Sequence, residues 1–120
     1  MKKFEETNGF DLGFVVGMIE GEGCINSSSH DGYPVVNIEI CNTDRCLLEK
    51  CQEVLGGNIH TRKELTISRH PKKIYRLLTS GAYTKFTETI LSLYPYLLSE
   101  KKKRQCLKAL EMVNNRKANR

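Results

Sequence analysis

The stretch from Val15 to Gly23, Val-Val-Gly-Met-Ile-Glu-Gly-Glu-Gly, constrains this chain more than any other. An apolar run ends there in two carboxylates that alternate with glycines. Upstream, Leu12, Val15, Val16 and Ile19 recur at 3.6-residue spacing. That spacing predicts a helix from Asn8 to Ile19, with Asn8 or Asp11 able to cap it. Phe10, Phe14 and Met18 cover the flanks, so the helix is apolar around most of its girth and has to be buried. Gly13 and Gly17 lie one turn apart on one face. Each weakens a helix by about 1 kcal/mol against alanine, a loss that close approach of a second helix backbone offsets. Gly21 and Gly23 are expected to stop the helix through backbone angles open to glycine, leaving Glu20 and Glu22 at its C-terminal mouth. Acids there oppose the helix dipole. A purely structural design would put Lys or Arg at that end; two acids invite a cation, and carboxylate oxygens plus water are what Mg²⁺ prefers.

A chain of 120 residues is enough for one domain and too short for two, so residues 1–120 are read as a single unit with 115–120 as a flexible basic tail. The net charge of +5 suits a polyanionic partner. No segment reaches the ~18 apolar residues of a membrane span and no signal peptide is recognised. The expectation is a soluble intracellular protein with no membrane partner, in an organelle or in a prokaryotic or phage-infected cell. The cysteines, Cys24, Cys41, Cys46, Cys51 and Cys106, are odd in number and lack C-x-x-C spacing, so neither a disulfide framework nor a zinc site is indicated. Cys51 and Cys106 fall on apolar helical stripes and read as small core residues.

Further along, Cys24 to Ser29 and Pro34 to Asn42 read as two strands joined through Asp31-Gly32, a frequent hairpin signal. Asp44 caps a helix running to Leu55, and Gly56-Gly57 ends it. A third strand is expected over Asn58 to Lys63 and a fourth over Lys73 to Thr79, after a basic connection with Arg69 and Lys72. Two helices close the chain. The first carries Phe86 and Ile90 on one face; the second begins near Ser99 and presents Cys106, Leu107, Leu110 and Val113. The order helix-strand-strand-helix-strand-strand-helix-helix gives an α+β fold, a four-stranded antiparallel sheet with helices on one face. By alternation the other face holds Asn26, Ser28, His30, Asn37, Glu39, His60, Arg62 and Arg76. β-Ribbons fit the major groove of DNA, and Arg, Asn and Glu bond distinct base edges, so this polar face is a candidate DNA surface.

The Val15–Gly23 run resembles the motif of the LAGLIDADG homing endonucleases. Val15 and Val16 take the first two places, Gly17 the first glycine, Met18 and Ile19 the apolar pair, Glu20 the first acid, Gly21 the small residue, and Glu22-Gly23 the closing acid and glycine. The closing acid is Glu where Asp is commoner, which keeps the oxygen ligand on a stem one methylene longer. Three more segments extend the likeness over nearly the whole chain. Ile38 to Asp44 is similar to the family's strand-to-helix junction, where a polar residue, Asn42 here, approaches the metal-bound water. Gly56-Gly57-Asn58-Ile59 looks like the turn into its third strand. Leu97 to Gln105 resembles the segment that keeps a basic residue in the active site; Lys102, three before Gln105, is the best match and Lys101 the alternative.

The resemblance implies an αββαββα(α) homing-endonuclease-like fold whose concave sheet binds double-stranded DNA. A single-motif chain of this size implies a homodimer, paired through the first helix by Gly13, Val16, Gly17 and Glu20. Two Glu22 side chains then meet over the minor groove and share divalent ions, Mg²⁺ above all, with the Gly21 carbonyl as a further ligand. Lys102 stabilises charge and Asn42 orients water. The implied activity is a metal-dependent double-strand break in a long, roughly palindromic target. A non-cleaving intron RNA maturase or DNA-binding protein on the same scaffold is the alternative. An unrelated RNA-binding module would expose aromatic residues on its sheet for base stacking; Tyr33 and Tyr75 are the strand-region candidates, and Tyr75 reads as core.

Overall fold

The computed structural model describes residues 8–63 and 73–118, with side chains described as far as Thr61 and from Lys73 to Asn115. It begins with α1 (Gly9–Glu22), capped by Asn8, whose side-chain oxygen accepts from the Asp11 amide at 2.8 Å. Asp11 is buried instead, and its carboxylate pairs with the Lys50 ammonium at 3.0 Å. That bond, and a second to Glu53, raise the Lys50 pKa above its ordinary value.

The helix runs one turn further than its sequence predicts. Neither Gly21 nor Gly23 adopts a positive φ, so neither ends the helix by backbone freedom. Gly23 turns extended at φ −104° while its amide still bonds Ile19 O, and the chain passes straight into β1 (Gly23–His30). What Gly23 supplies is space: a Cβ there would stand 2.8 Å from Ile19 Cα and 3.3 Å from Glu39 O.

A two-residue turn, Asp31 (φ 53°) and Gly32 (φ 80°), leads to β2 (Tyr33–Asn42), the paired positive φ values that match the right-handed twist of a hairpin. Asp44 accepts from the Cys46 amide and starts α2 (Arg45–Leu55). Gly56 and Gly57, both at positive φ, turn the chain into β3 (Asn58–Lys63). At Gly57 the reason is double, since a Cβ would also lie 2.6 Å from Leu78 O. Arg69 and Lys72 of the basic connection lie outside the described residues. The chain continues as β4 (Lys73–Thr79), α3 (Tyr83–Leu93), a 3₁₀ turn (Tyr94–Tyr96) and α4 (Glu100–Ala118). Thus α4 extends into the stretch expected to be a tail.

The four strands form one antiparallel sheet in the order β1-β2-β4-β3. Val36, Ile38 and Ile40 of β2 and Leu77 of β4 point into a core shared with Val15 and Ile19 of α1, Leu48, Cys51 and Val54 of α2, Phe86 and Ile90 of α3, and Cys106 and Val113 of α4. Two expectations fail at the helix surfaces. Leu107 is 52% exposed, because α4 buries the i, i+4, i+7, i+11 stripe Lys102, Cys106, Ala109 and Val113. Phe10, expected to cover a flank of α1, is 75% exposed, stacked along the helix on Phe14 with ring centroids 6.4 Å apart.

Candidate nucleic-acid interface and metal site

The register assigns the sheet's open face directly. Opposed residues in an antiparallel pair point the same way. Asn26 opposes Asn37, Cys24 opposes Glu39, Ser28 opposes Val35 and His30 opposes Tyr33. Cys41 opposes Arg76, which opposes His60; Arg62 opposes Ile74. All eight positions that alternation puts on this face therefore share it. Polar side chains there are already cross-linked: Asn26 donates to Asn37 at 3.0 Å and Arg76 pairs with Glu39 at 3.6 Å. Val35, Cys24, Cys41, Tyr33 and Ile74 lie beside them by the same alternation; a choice made on polarity alone passes over these. Tyr75 sits on the other face, partly buried, with the Arg45 guanidinium 5.5 Å over its ring.

At one end of the sheet the terminal acid of α1 meets the last residue of β2. The Asn42 amide donates to the Glu22 carboxylate, and its oxygen accepts from the Asp44 amide at 2.7 Å. Those two bonds fix which way the Asn42 side chain points. Glu22 itself is exposed. Lys102 arrives from α4, 8% exposed, and donates from Nζ to the carbonyl of Gly23, the residue after Glu22. It supplies the cation that α1 lacks in its own last turn. Lys101 is exposed, so the basic residue at this junction is Lys102. Periodicity could have separated the two, since Lys102 and not Lys101 lies on the Cys106-Ala109-Val113 stripe.

The donor set can be tested against a metal. Among the described residues no cluster of three or more His, Cys, Asp or Glu side chains forms within one chain. One exposed Glu carboxylate beside an amide suits a hard cation that keeps most of its water, as Mg²⁺ does, and leaves room for ligands from elsewhere.

Of the four residues expected at a dimer interface, Val16 and Glu20 make contacts within the protomer. Val16 is only 9% exposed and belongs to the protomer's own core. Glu20 turns its carboxylate onto the amides of Leu98 and Ser99, at 3.2 and 3.0 Å, so the chain's own backbone holds it. Gly13 and Gly17 stay open, with nothing within 4 Å of a Cβ at either, and Gly9 and Gly21 continue the same i, i+4 row.

The sequence profile of the LAGLIDADG-like domain matches residues 9–90, from the start of α1 into α3. The chain belongs to the LAGLIDADG-like family. No curated protein sequence matches it. Among solved structures, the LAGLIDADG meganuclease I-AabMI bound to uncleaved DNA superposes with a TM-score of 0.60 at 25% identity, over 91% of this chain and 39% of that one. The archaeal intron-encoded homing endonuclease I-Vdi141I, complexed with DNA, gives 0.60 at 22% identity over 91% and 70%. The homing endonuclease I-GzeII in complex with its DNA target gives 0.57 at 18% identity over 90% and 36%. The LAGLIDADG-like fold is thus shared along nearly the whole chain, while the chain spans well under half the length of I-AabMI and I-GzeII.

Proposed function

We propose that this chain is a site-specific, divalent-metal-dependent DNA endonuclease, active as a homodimer on a long, roughly palindromic double-stranded target. The observation that carries the reading is the Glu22–Asn42 pair: an exposed carboxylate at the end of α1, oriented by an amide at the end of β2. Each copy offers one such carboxylate. Pairing two copies through the Gly13/Gly17 face brings two together, and like charges at close range favour binding of cations between them. Phosphodiester hydrolysis needs an activated water and shielding of phosphate charge, which Mg²⁺ supplies when bound. Glu22 and the Gly21 carbonyl would hold the ion and Asn42 would orient water, while Lys102 brings positive charge to the junction. Asn26, Ser28, His30, Asn37, Glu39, His60, Arg62 and Arg76 face the DNA. The I-AabMI, I-Vdi141I and I-GzeII complexes, each with DNA on this fold, support the partner.

The test is selection for cleavage from a randomised double-stranded DNA library in Mg²⁺, followed by Glu22→Gln on the selected target. The expected result is a long target with two related halves, cut by the wild type and bound but uncut by the variant. Cutting by Glu22→Gln near the wild-type rate removes the site assignment. Binding without cutting by the wild type turns the reading to a non-cleaving DNA-binding protein.

A further inference from the structure

Glu20, the first acid of the motif, takes no part in the chemistry proposed above, yet its side chain bonds a distant segment of the chain. Its Oε2 alone accepts both the Leu98 amide at 3.2 Å and the Ser99 amide at 3.0 Å, across 78 and 79 residues of chain. Its Oε1 is buried with no partner among the described residues. A buried carboxylate oxygen without a partner is unfavourable, and an acid at a helix C-terminus opposes the dipole. Neither is explained by the stability of α1. The two amides that Glu20 holds belong to the residues that immediately precede α4. From Ser99 the connection continues directly: its hydroxyl oxygen accepts from the Lys102 amide at 3.3 Å and its carbonyl from the Lys103 amide at 3.0 Å. One turn later Gln105 accepts from the Ile25 amide of β1 at 3.0 Å. Between these anchors Lys102 is turned inward onto the Gly23 carbonyl.

We propose that Glu20 is a positioning residue: its carboxylate fixes where α4 starts, and through Ser99 it delivers the Lys102 ammonium to the Gly23 carbonyl beside Glu22. The functional weight of this placement rests on the endonuclease reading; the placement itself does not. Because one oxygen takes both amides, a single carbonyl oxygen at the same place can stand in for it. Glu20→Gln preserves that acceptor. Glu20→Met matches the length but accepts nothing, and Glu20→Asp keeps the charge but withdraws the oxygen by one methylene.

The experiment acylates the lysines of the full chain with an amine-reactive ester and reads each site by peptide mass spectrometry. In the wild type, Lys102 reacts at least about tenfold more slowly than exposed Lys101, as a group that reacts only on local opening. Glu20→Gln keeps that protection, while Glu20→Met and Glu20→Asp bring Lys102 towards the rate of Lys101. Continued protection of Lys102 in Glu20→Met, or stronger protection in Glu20→Asp than in Glu20→Gln, overturns the proposal. Should the Met variant fail to fold, the Gln and Asp pair decides alone. On a cleavable target, Glu20→Met lowers the single-turnover rate by about 100-fold, the size of a displaced catalytic group, with DNA affinity in Ca²⁺ unchanged. Glu20→Met/Lys102→Met then cuts no more slowly than Lys102→Met; additive losses show that Glu20 does not act through Lys102. A wild-type chain that cuts nothing removes the endonuclease reading and leaves the acylation result to decide the positioning role.

Discussion

Gly23 and Gly21 stand two residues apart with unlike duties. A Cβ on Gly23 meets the backbone of Ile19 and Glu39, whereas one on Gly21 meets nothing within 4 Å. Gly23→Ala is therefore expected to destabilise the fold by about 1–3 kcal/mol, in the manner of overpacking. Gly21→Ala is neutral or stabilises by up to about 1 kcal/mol through helix propensity. Urea denaturation of the two variants checks the contrast, and equal effects would refute the packing account. Cys51 and Cys106 supply a second residue-scale prediction. Burial pushes both thiols to about 11, with the Glu20 charge adding to the rise at Cys106. Alkylation at about pH 8 should leave both untouched until the chain unfolds. Their raised folded pKa means that the native state holds protons the unfolded chain has lost. Stability is thus full below the ordinary thiol value of 9.0 and falls as pH rises towards 11, by on the order of 2 kcal/mol for each thiol. Raised Lys50 acts in the same direction at the alkaline end. A denaturation midpoint that does not move between neutral pH and the far alkaline range would contradict this.

At the scale of elements, α1 buries Val15, Val16 and Ile19 against its own sheet and leaves the Gly9-Gly13-Gly17-Gly21 row open. A second helix that uses the row touches nothing the protomer needs. Gly17→Leu should therefore leave the protomer folded, with an unchanged or raised midpoint, while abolishing the proposed homodimer by steric overlap. Light scattering beside circular dichroism separates the two, and a Gly17→Leu variant that still dimerises would place the interface elsewhere. The stripes of α1 and α2 are legible in the sequence because apolar residues at 3.6-residue spacing have few alternatives. The stripe of α4 reads one position off, at Leu107, because its true core row opens with a lysine. Spacing alone puts Lys102 on that row, while its charge argues against an inward position; the Gly23 carbonyl at the end of α1 is what receives it there.

For the molecule as a whole, a net charge of +5 and an open polar sheet face predict DNA binding that weakens steeply with salt, log K falling by roughly 0.9 per phosphate contacted. Arg76, held by Glu39 on that face, is expected to read a base. Arg76→Ala should lose about 1–3 kcal/mol of preference for target over random DNA, measured by competition binding; equal loss on both would reduce Arg76 to a phosphate contact. The order of elements, the hairpin turn, the caps and the alternation that exposes the polar face are properties of neighbouring residues. They follow from side-chain periodicity and from the turn chemistry of Asp31-Gly32 and Gly56-Gly57, and were determined by the sequence by itself. Only the tertiary structure decided the rest. That Asn42 orients Glu22, that Glu20 serves the start of α4, and that Gly23 is glycine for want of room all depend on groups from segments up to 79 residues apart. Most of those groups are backbone amides and carbonyls, the same in every residue, so their meeting leaves no trace in composition or spacing until the chain is folded.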